Sequence, residues 1–367
     1  MTFFPKKGGF FQSAFQDFLY LTDYQAPKSS LSIMNIRQIQ TNAKVNFSRY
    51  RPDSNQGFYE SYFIRANHPN QKQAFWMRYT LFIPKEKQRV PMGELWAVYF
   101  DGTNIIPHKE EFPLHRCQFP NKHFYVQLGN NKLNSANAQG QIGDFSWNLQ
   151  FSAQGKPLFL LPQVYYHVPF PKAKSIVSQP FAQFNGMITI GKQKIEIDNW
   201  VGSQNHNWGS EHTNTYAWGQ VAGFDNSKST FLELITAKVN IKGLSTPFLT
   251  LLVLRHRQKE YRLNQLSKAL FQEGSFDYFT WDFECEDATV LIKGRIEATP
   301  NAFIGLRYYN PSGGDKNCLN SKIATCSLSI TDKTQSSIPE ALYTEHRCAF
   351  EILTNDEKDK HGIAINF

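Results

Sequence analysis

Trp200 to Asp225 read WVGSQNHNWGSEHTNTYAWGQVAGFD, and nowhere else in the 367 residues do His, Asn, Gln, Tyr and Trp gather so densely between glycines. Gly202 and Gly209 admit backbone angles that other residues avoid, so the polar run Ser203 to Trp208 is expected as a turn-rich loop. From Thr215 the text alternates. Tyr216, Trp218, Gln220, Ala222 and Phe224 fall on one face of an extended chain, and Ala217, Gly219, Val221 and Gly223 on the other. One face is bulky and the other nearly bare, the pattern of a strand approached closely by another backbone or a ligand. The stretch reads as a polar crossover that feeds a strand, just past the middle of the chain.

On both sides of the crossover, short alternating or apolar runs are punctuated by Pro, Asn, Gly and Lys, as in antiparallel β proteins. Strands are expected at Gly57 to Arg65, Ala74 to Ile83, Glu94 to Phe100, Phe145 to Phe151, Ala217 to Phe224, Thr230 to Val239, Phe248 to His256, Phe279 to Cys285, Thr289 to Glu297 and Ala324 to Ile330. Helical periodicity is confined to residues 10–21, where Phe11, Ala14, Phe15, Phe18 and Leu19 share a face, and to a short segment near Leu263 to Phe271. A hairpin centred near Pro69 would set Glu60 opposite Arg78 and Tyr62 opposite Trp76, facing an acid with a guanidinium on an aromatic surface. The stretch Gly305 to Cys318 holds Gly313 and Gly314 near Lys316 but lacks the Walker spacing, so it reads as a hairpin tip.

A faint repeat points to two similar units: Phe145, Trp147 and Phe151 in the first half answer Phe279, Trp281 and Phe283 in the second. The resulting division is an N-terminal helical segment at 1–35, one β unit at 36–210 and another at 211–367. Barrels would solve the edge-strand problem for such sheets and leave room for one small ligand.

Composition narrows the classes of function. Aromatic residues make up 15% of the chain, with 31 Phe, which favours β structure and apolar cavities. The formal charge of +8 is spread over scattered Lys and Arg without a stripe, so no nucleic-acid partner is expected. Five cysteines, Cys117, Cys285, Cys318, Cys326 and Cys348, form no CxxC pair, which suits reduced thiols in a cytoplasmic compartment. Cys318 and Cys326 could meet across a hairpin, but a reduced pair is expected. The N-terminus lacks a clean signal-peptide core, and the longest apolar run, Pro247 to Leu254, is too short to span a bilayer. Peripheral membrane contact stays open, and the oligomeric state is not legible.

At Asn205-His206-Asn207-Trp208-Gly209, followed by His212, Tyr216, Trp218 and Gln220, the sequence resembles the AttH-like and carotenoid 1,2-hydratase (hydroxyneurosporene synthase, CrtC-like) family. The resemblance extends to residues 57–62, GFYESY, and 75–80, FWMRYT. It implies an all-β protein of two tandem lipocalin-like (calycin) antiparallel β-barrels with a short N-terminal helix, enclosing a hydrophobic isoprenoid, polyene or lipid-like molecule. The activity it implies is a lyase (hydratase) or an isomerase or cyclase, with proton-initiated hydration, isomerisation or cyclisation. The alternative is a carrier or sensor without chemistry.

In hydratases of this kind an acid beside the motif histidine is the proton source, but that position here is Asn205, which cannot donate as a general acid. Candidate catalytic residues are therefore His206 and Tyr216, with Asp225 or Glu233 supplying a carboxylate if buried. Trp208 and Trp218 would cradle a carbocation. Asn205, Asn207, Gln220, Glu60, Trp76 and Arg78 complete the candidate ligand site. Each has a structural alternative: a histidine satisfied by backbone carbonyls, amides stitching the crossover to the sheet, tryptophans in the core. No cofactor is expected, and His206 and His212 lack the third ligand that a metal would need.

Overall fold

Period-two patterning drives nearly the whole of the computed structural model, which describes residues 44–54, 56–85, 89–153, 155–241, 244–335 and 338–366. The expected helix at 10–21 lies outside the described residues. Among the described residues helix amounts to Lys358–His361 and a few single 3-10 turns, one of which, Ala269–Phe271, stands in the segment expected as a short helix.

The first sheet contains β1 (Phe58–Asn67), β2 (Ala74–Ile83), β3 (Met92–Phe100), β4 (Ile105–Pro113), β5 (Cys117–Gln118), β6 (Tyr125–Leu128), β7 (Asn131–Asn134), β8 (Asn137–Ile142), β9 (Phe145–Ser152), β10 (Leu158–Phe159), β11 (Ala173–Ile190) and β12 (Gln193–Gly209). Its antiparallel path runs β4-β3-β2-β1-β12-β11-β9-β8-β7-β6-β5. The sheet curls until it nearly closes: His108 of β4 meets Asp144, after β8, at 2.8 Å. The second sheet contains β13 (Thr215–Ala222), β14 (Phe231–Lys238), β17 (Leu249–His256), β18 (Lys259–Leu263), β19 (Glu273–Phe276), β20 (Thr280–Glu286), β21 (Val290–Glu297), β22 (Ile304–Tyr309), β23 (Asp315–Asp332) and β24 (Glu340–Thr354). Residues 240–241 and 244–245 form the small pair β15 and β16. The second path, β18-β17-β14-β13-β24-β23-β21-β20-β19, curves into a half-barrel, with Trp281 Nε1 of β20 donating to Thr236 Oγ1 of β14 at 3.2 Å. In each sheet the last strand returns to pair with the first, β12 with β1 and β24 with β13.

Four readings of the sequence are corrected here. Ser203 to Trp208 is no loop but part of β12, half of a long hairpin turned at Gly191, whose φ of 58° suits the first position of a two-residue turn. The first hairpin turns over 68–73 rather than about Pro69, so Glu60 pairs with Leu81 and Tyr62 with Tyr79, while Arg78 faces Phe63 and Trp76 faces Arg65. Glu60 and Arg78 consequently lie on opposite faces of the sheet. Cys318 and Cys326 both lie on β23, not across a hairpin, and are free. Trp147 and Trp281 do not occupy equivalent strands: β9 borders the long strand β11, whereas β20 is separated from β23 by β21. The hairpin tip at Gly313 and Gly314, both with positive φ between β22 and β23, is as expected.

The barrel interiors are filled by side chains. Tyr62, Phe75, Tyr79, Trp147 and Trp200 pack inside the first, and Val221, Leu234, Trp281, Phe283 and Phe350 inside the second. The bare face of β13 is approached by this second core: a Cβ on Gly219 would lie 2.6 Å from Ile296 Cδ1 and 3.1 Å from Trp281. A third aromatic cluster, including Phe63, Trp76, Trp96, Trp218 and Tyr308, joins the outer faces of the two sheets.

Candidate functional site

The outer faces that meet between the sheets carry buried polar and ionisable side chains around a cavity. Along β1, Tyr62, Ile64 and Ala66 point into the first barrel, so Tyr59, Ser61, Phe63 and Arg65 point toward the second sheet. Along β13 and β14, Ala217, Val221, Leu232 and Leu234 fill the second barrel, which turns Tyr216, Trp218, Gln220, Glu233 and Ile235 the other way. Where these faces part, they leave a cavity whose empty space, counted out to its open mouth, is about 1260 Å³. One wall is apolar: Leu160, Leu161, Ile235, Leu249, Leu251 and Leu266. The other carries Tyr59, Trp76, Arg78, Asn205, Asn207, His212, Tyr216, Trp218, Glu233, Tyr308 and Glu351.

Glu233 is 2% exposed, and its two oxygens are separately held. Trp218 Nε1 donates to Oε1 at 2.8 Å and Gln220 Nε2 to Oε2 at 2.7 Å. Burial pushes its pKa up to about 7, against the pull of those two hydrogen bonds. Gln220 is itself pinned. Its Oε1 accepts from Arg65 Nε at 2.7 Å and from Ser203 Oγ at 2.6 Å, and its Nε2 also donates to Asn205 Oδ1 at 2.9 Å. This fixes the orientation of the amide, and through it that of the carboxyl. Arg65 is fully buried yet spends its donors on neutral oxygens: those of Gln220, Asn67 Oδ1 and the carbonyl of Arg347. Burial lowers its pKa to about 10.

A second carboxylate faces the same space. Glu351 of β24 stands opposite Trp218 and accepts from Lys322 Nζ at 2.7 Å and Asn320 Nδ2 at 2.9 Å. Lys322 is fully buried, which lowers its pKa, and its ammonium lies 5.4 Å from the Trp76 ring centre and 5.6 Å from that of Trp218. Burial holds the Tyr216 hydroxyl well above the usual phenol range, so it remains protonated. His212 stacks on Tyr59 at 4.0 Å, and burial, with Arg78 nearby, lowers its pKa to about 3.

No protein-family model matches the sequence, and no curated protein matches it. Solved structures do match. A protein of Nitrosomonas europaea assigned as AttH aligns over 83% of this chain and 94% of its own, with a TM-score of 0.51 and 10% identity. Kievitone hydratase from Nectria haematococca aligns over 86% of this chain and 95% of its own, with a TM-score of 0.51 and 12% identity. The chain has an AttH-like fold.

Within this AttH-like fold the residues singled out from sequence separate into three groups. Tyr216, Glu233, Asn205, Asn207, Trp218, Trp76 and Arg78 line the cavity, and Gln220 stands directly behind Glu233. His206, Glu60 and Trp208 do not line it, because they project from the opposite faces of β12 and β1. His206 is fully buried, with Nδ1 donating to the Val45 carbonyl at 2.8 Å and Nε2 against Glu60 Oε1 at 2.9 Å. Glu60 also accepts from Ser48 Oγ at 2.5 Å and from the Arg49 amide at 2.7 Å, while Trp208 packs on Val45, Phe159 and Ile176. These three residues fasten residues 45–49 to the barrel. Asp225 is elsewhere again: its carboxylate accepts from the Glu345 amide at 2.8 Å and pairs with Arg347 at 3.3 Å.

Sequence reasoning missed Arg65, Lys322, Glu351 and Lys174, the last a cavity residue whose pKa burial lowers to about 8. Glu351 had a signal, as the lone charge in the run CAFEILT. Among the described residues no three His, Cys, Asp or Glu side chains converge as a metal centre, and no helix is long and apolar enough to cross a membrane.

Proposed function

We propose that the chain binds a hydrophobic small molecule, such as an isoprenoid or polyene, between its two sheets and protonates an alkene of that molecule from Glu233. The observation that carries this is a buried carboxyl with a pKa near 7 on the wall of an apolar cavity. Each of its oxygens accepts a hydrogen bond from a fixed protein donor, which orients the carboxyl, and its neutral form carries a proton that a molecule bound in the cavity can receive. A general acid poised near ambient pH combines availability with driving force. Protonation at one alkene carbon leaves a cation at the other, beside the face of Trp218. Water adding to that cation gives hydration, and its spare proton passes to Glu351, the second carboxylate on the wall. Loss of a proton from a neighbouring carbon instead gives isomerisation. Attack by a second double bond gives cyclisation. The fold shared with a protein named as a hydratase supports the reading, and Glu233, from the second sheet, supplies the acid that the amide at Asn205 cannot.

The test is to incubate the protein with prenylated phenols and isoprenoid alkenes in heavy water and follow carbon-bound deuterium and added water by mass spectrometry. Glu233→Gln should cut turnover about 100-fold or more while retaining binding. Unchanged turnover in that variant would remove Glu233 from the chemistry. Binding without deuterium incorporation in the unmodified protein would make it a carrier.

A further inference from the structure

The cavity also holds a charge that proton transfer from Glu233 does not use. Arg78 lines the wall with 6% of its surface exposed. Its Nη2 donates to Ser61 Oγ at 2.9 Å and its guanidinium lies 4.0 Å from the Tyr308 ring centre, but among the described residues its Nε has no partner. Two residues earlier on the same face of β2, Trp76 Nε1 is buried and likewise without a partner among them. The nearby carboxylates are already matched: Glu94 lies 3.0 Å from Lys109 and Glu351 2.7 Å from Lys322. Lys174 on the wall gives its hydrogen bond to the Pro171 carbonyl at 2.7 Å.

Arg65 shows what a satisfied buried guanidinium looks like in this protein, with Nε, Nη1 and Nη2 all bonded. Arg78 is the unsatisfied counterpart. The Glu94 and Glu351 carboxylates support its charge from a distance, but its Nε is still an unpaired buried N–H, which costs free energy. An oxygen anion entering the cavity would remove that cost with a charge-assisted hydrogen bond.

Resting on the reading that this cavity is the ligand site, we propose that the ligand is an amphiphile with a compact oxyanion head, in its simplest form a carboxylate. The head binds Arg78 Nε with Trp76 Nε1 beside it. The apolar body lies against Leu160, Leu161, Ile235, Leu249, Leu251 and Leu266. Arg78 thus fixes which end of the molecule enters, and thereby which carbon is presented to Glu233.

Calorimetric titration of the full chain with dodecanoate, dodecanol and methyl dodecanoate tests this. Dodecanoate should bind about tenfold or more tighter than the alcohol and the ester. Arg78→Gln should abolish that preference, weakening dodecanoate about tenfold or more relative to dodecanol. Trp76→Phe, which keeps the ring and removes only the N–H, should weaken dodecanoate alone, and it decides the matter if Arg78→Gln fails to fold. Equal binding of acid and alcohol by the unmodified protein, or a preference that survives in the folded variants, overturns the head-group assignment and leaves the cavity reading standing. Failure of all three compounds to bind overturns both.

Discussion

Glu233→Gln should abolish the pH dependence of stability that this carboxyl imposes. In the folded chain its pKa is raised from an ordinary 4.5 to about 7. Between those values the unfolded chain has released the proton and the folded chain still holds it. The folded state therefore binds more protons, and stability must fall as pH rises through this window. The full difference corresponds to roughly 3 kcal/mol lost once both states are ionised. The Gln variant cannot titrate and escapes that loss. It suffers a different one: its amide nitrogen must face either Trp218 Nε1 or Gln220 Nε2, both donors, and Gln220 cannot turn because Arg65 and Ser203 hold its Oε1. One unmet donor pair costs about 1–2 kcal/mol at every pH. Urea denaturation of both proteins should accordingly find the variant less stable near pH 5 and more stable near pH 8, with the curves crossing between. Parallel curves would refute the reasoning, because they would mean that Glu233 ionises in the folded chain as freely as in the unfolded one.

Two further substitutions test the packing that holds the site. Gly202→Ala should destabilise by about 3 kcal/mol or more in urea, because its Cβ would sit 1.8 Å from the Arg65 carbonyl oxygen at the β1–β12 seam, where only backbone could yield. Lys322→Met should cost about 3–5 kcal/mol by leaving Glu351 without its buried counter-charge, and adding Glu351→Gln should recover more than half of that in a double-mutant cycle.

The strand from Thr215 was legible because its two faces differ in size, and Ala74 to Ile83 was legible to the residue because its text is apolar and aromatic but for Arg78 and Thr80. The polar half of β12 was not. Ser203, Asn205 and Asn207 alternate with Gln204, His206 and Trp208, yet nearly every member is polar, so the period leaves no trace in hydrophobicity. Its partner β11 hides for another reason: register shifts between Val177 and Gln179, Pro180 and Ala182, and Phe184 and Gly186 break the alternation while bending the strand around the barrel. The hairpin of β1 and β2 was recognised, but its turn was set too early. An odd shift in register exchanges the faces, which is why Glu60 was matched with a guanidinium from which the sheet separates it.

The location of the site follows from the same physics. A phenylalanine-rich chain that folds into barrels suggests an apolar lumen, but among the described residues aromatic side chains pack inside both sheets, and the cavity lies between their outer faces. Polar residues on the outer face of a sheet ordinarily meet water, so Arg65 taken by itself gives no sign of burial, and Gln220 and Glu233 stand out only as members of the polar stretch and its neighbouring strand. Pressing two such faces together removes the water and obliges the polar groups to satisfy one another, which they do across β1, β12, β13 and β14. Among the described residues that pairing leaves the Nε of Arg78 and the Nε1 of Trp76 without a partner, and both residues belong to the cavity wall. No local motif encodes this, because residues that hydrogen-bond at the seam are as far apart in the chain as Arg65 and the Arg347 carbonyl, 282 positions. The chemistry belongs to the seam between the sheets, and only the paired registers of both barrels bring it into one place.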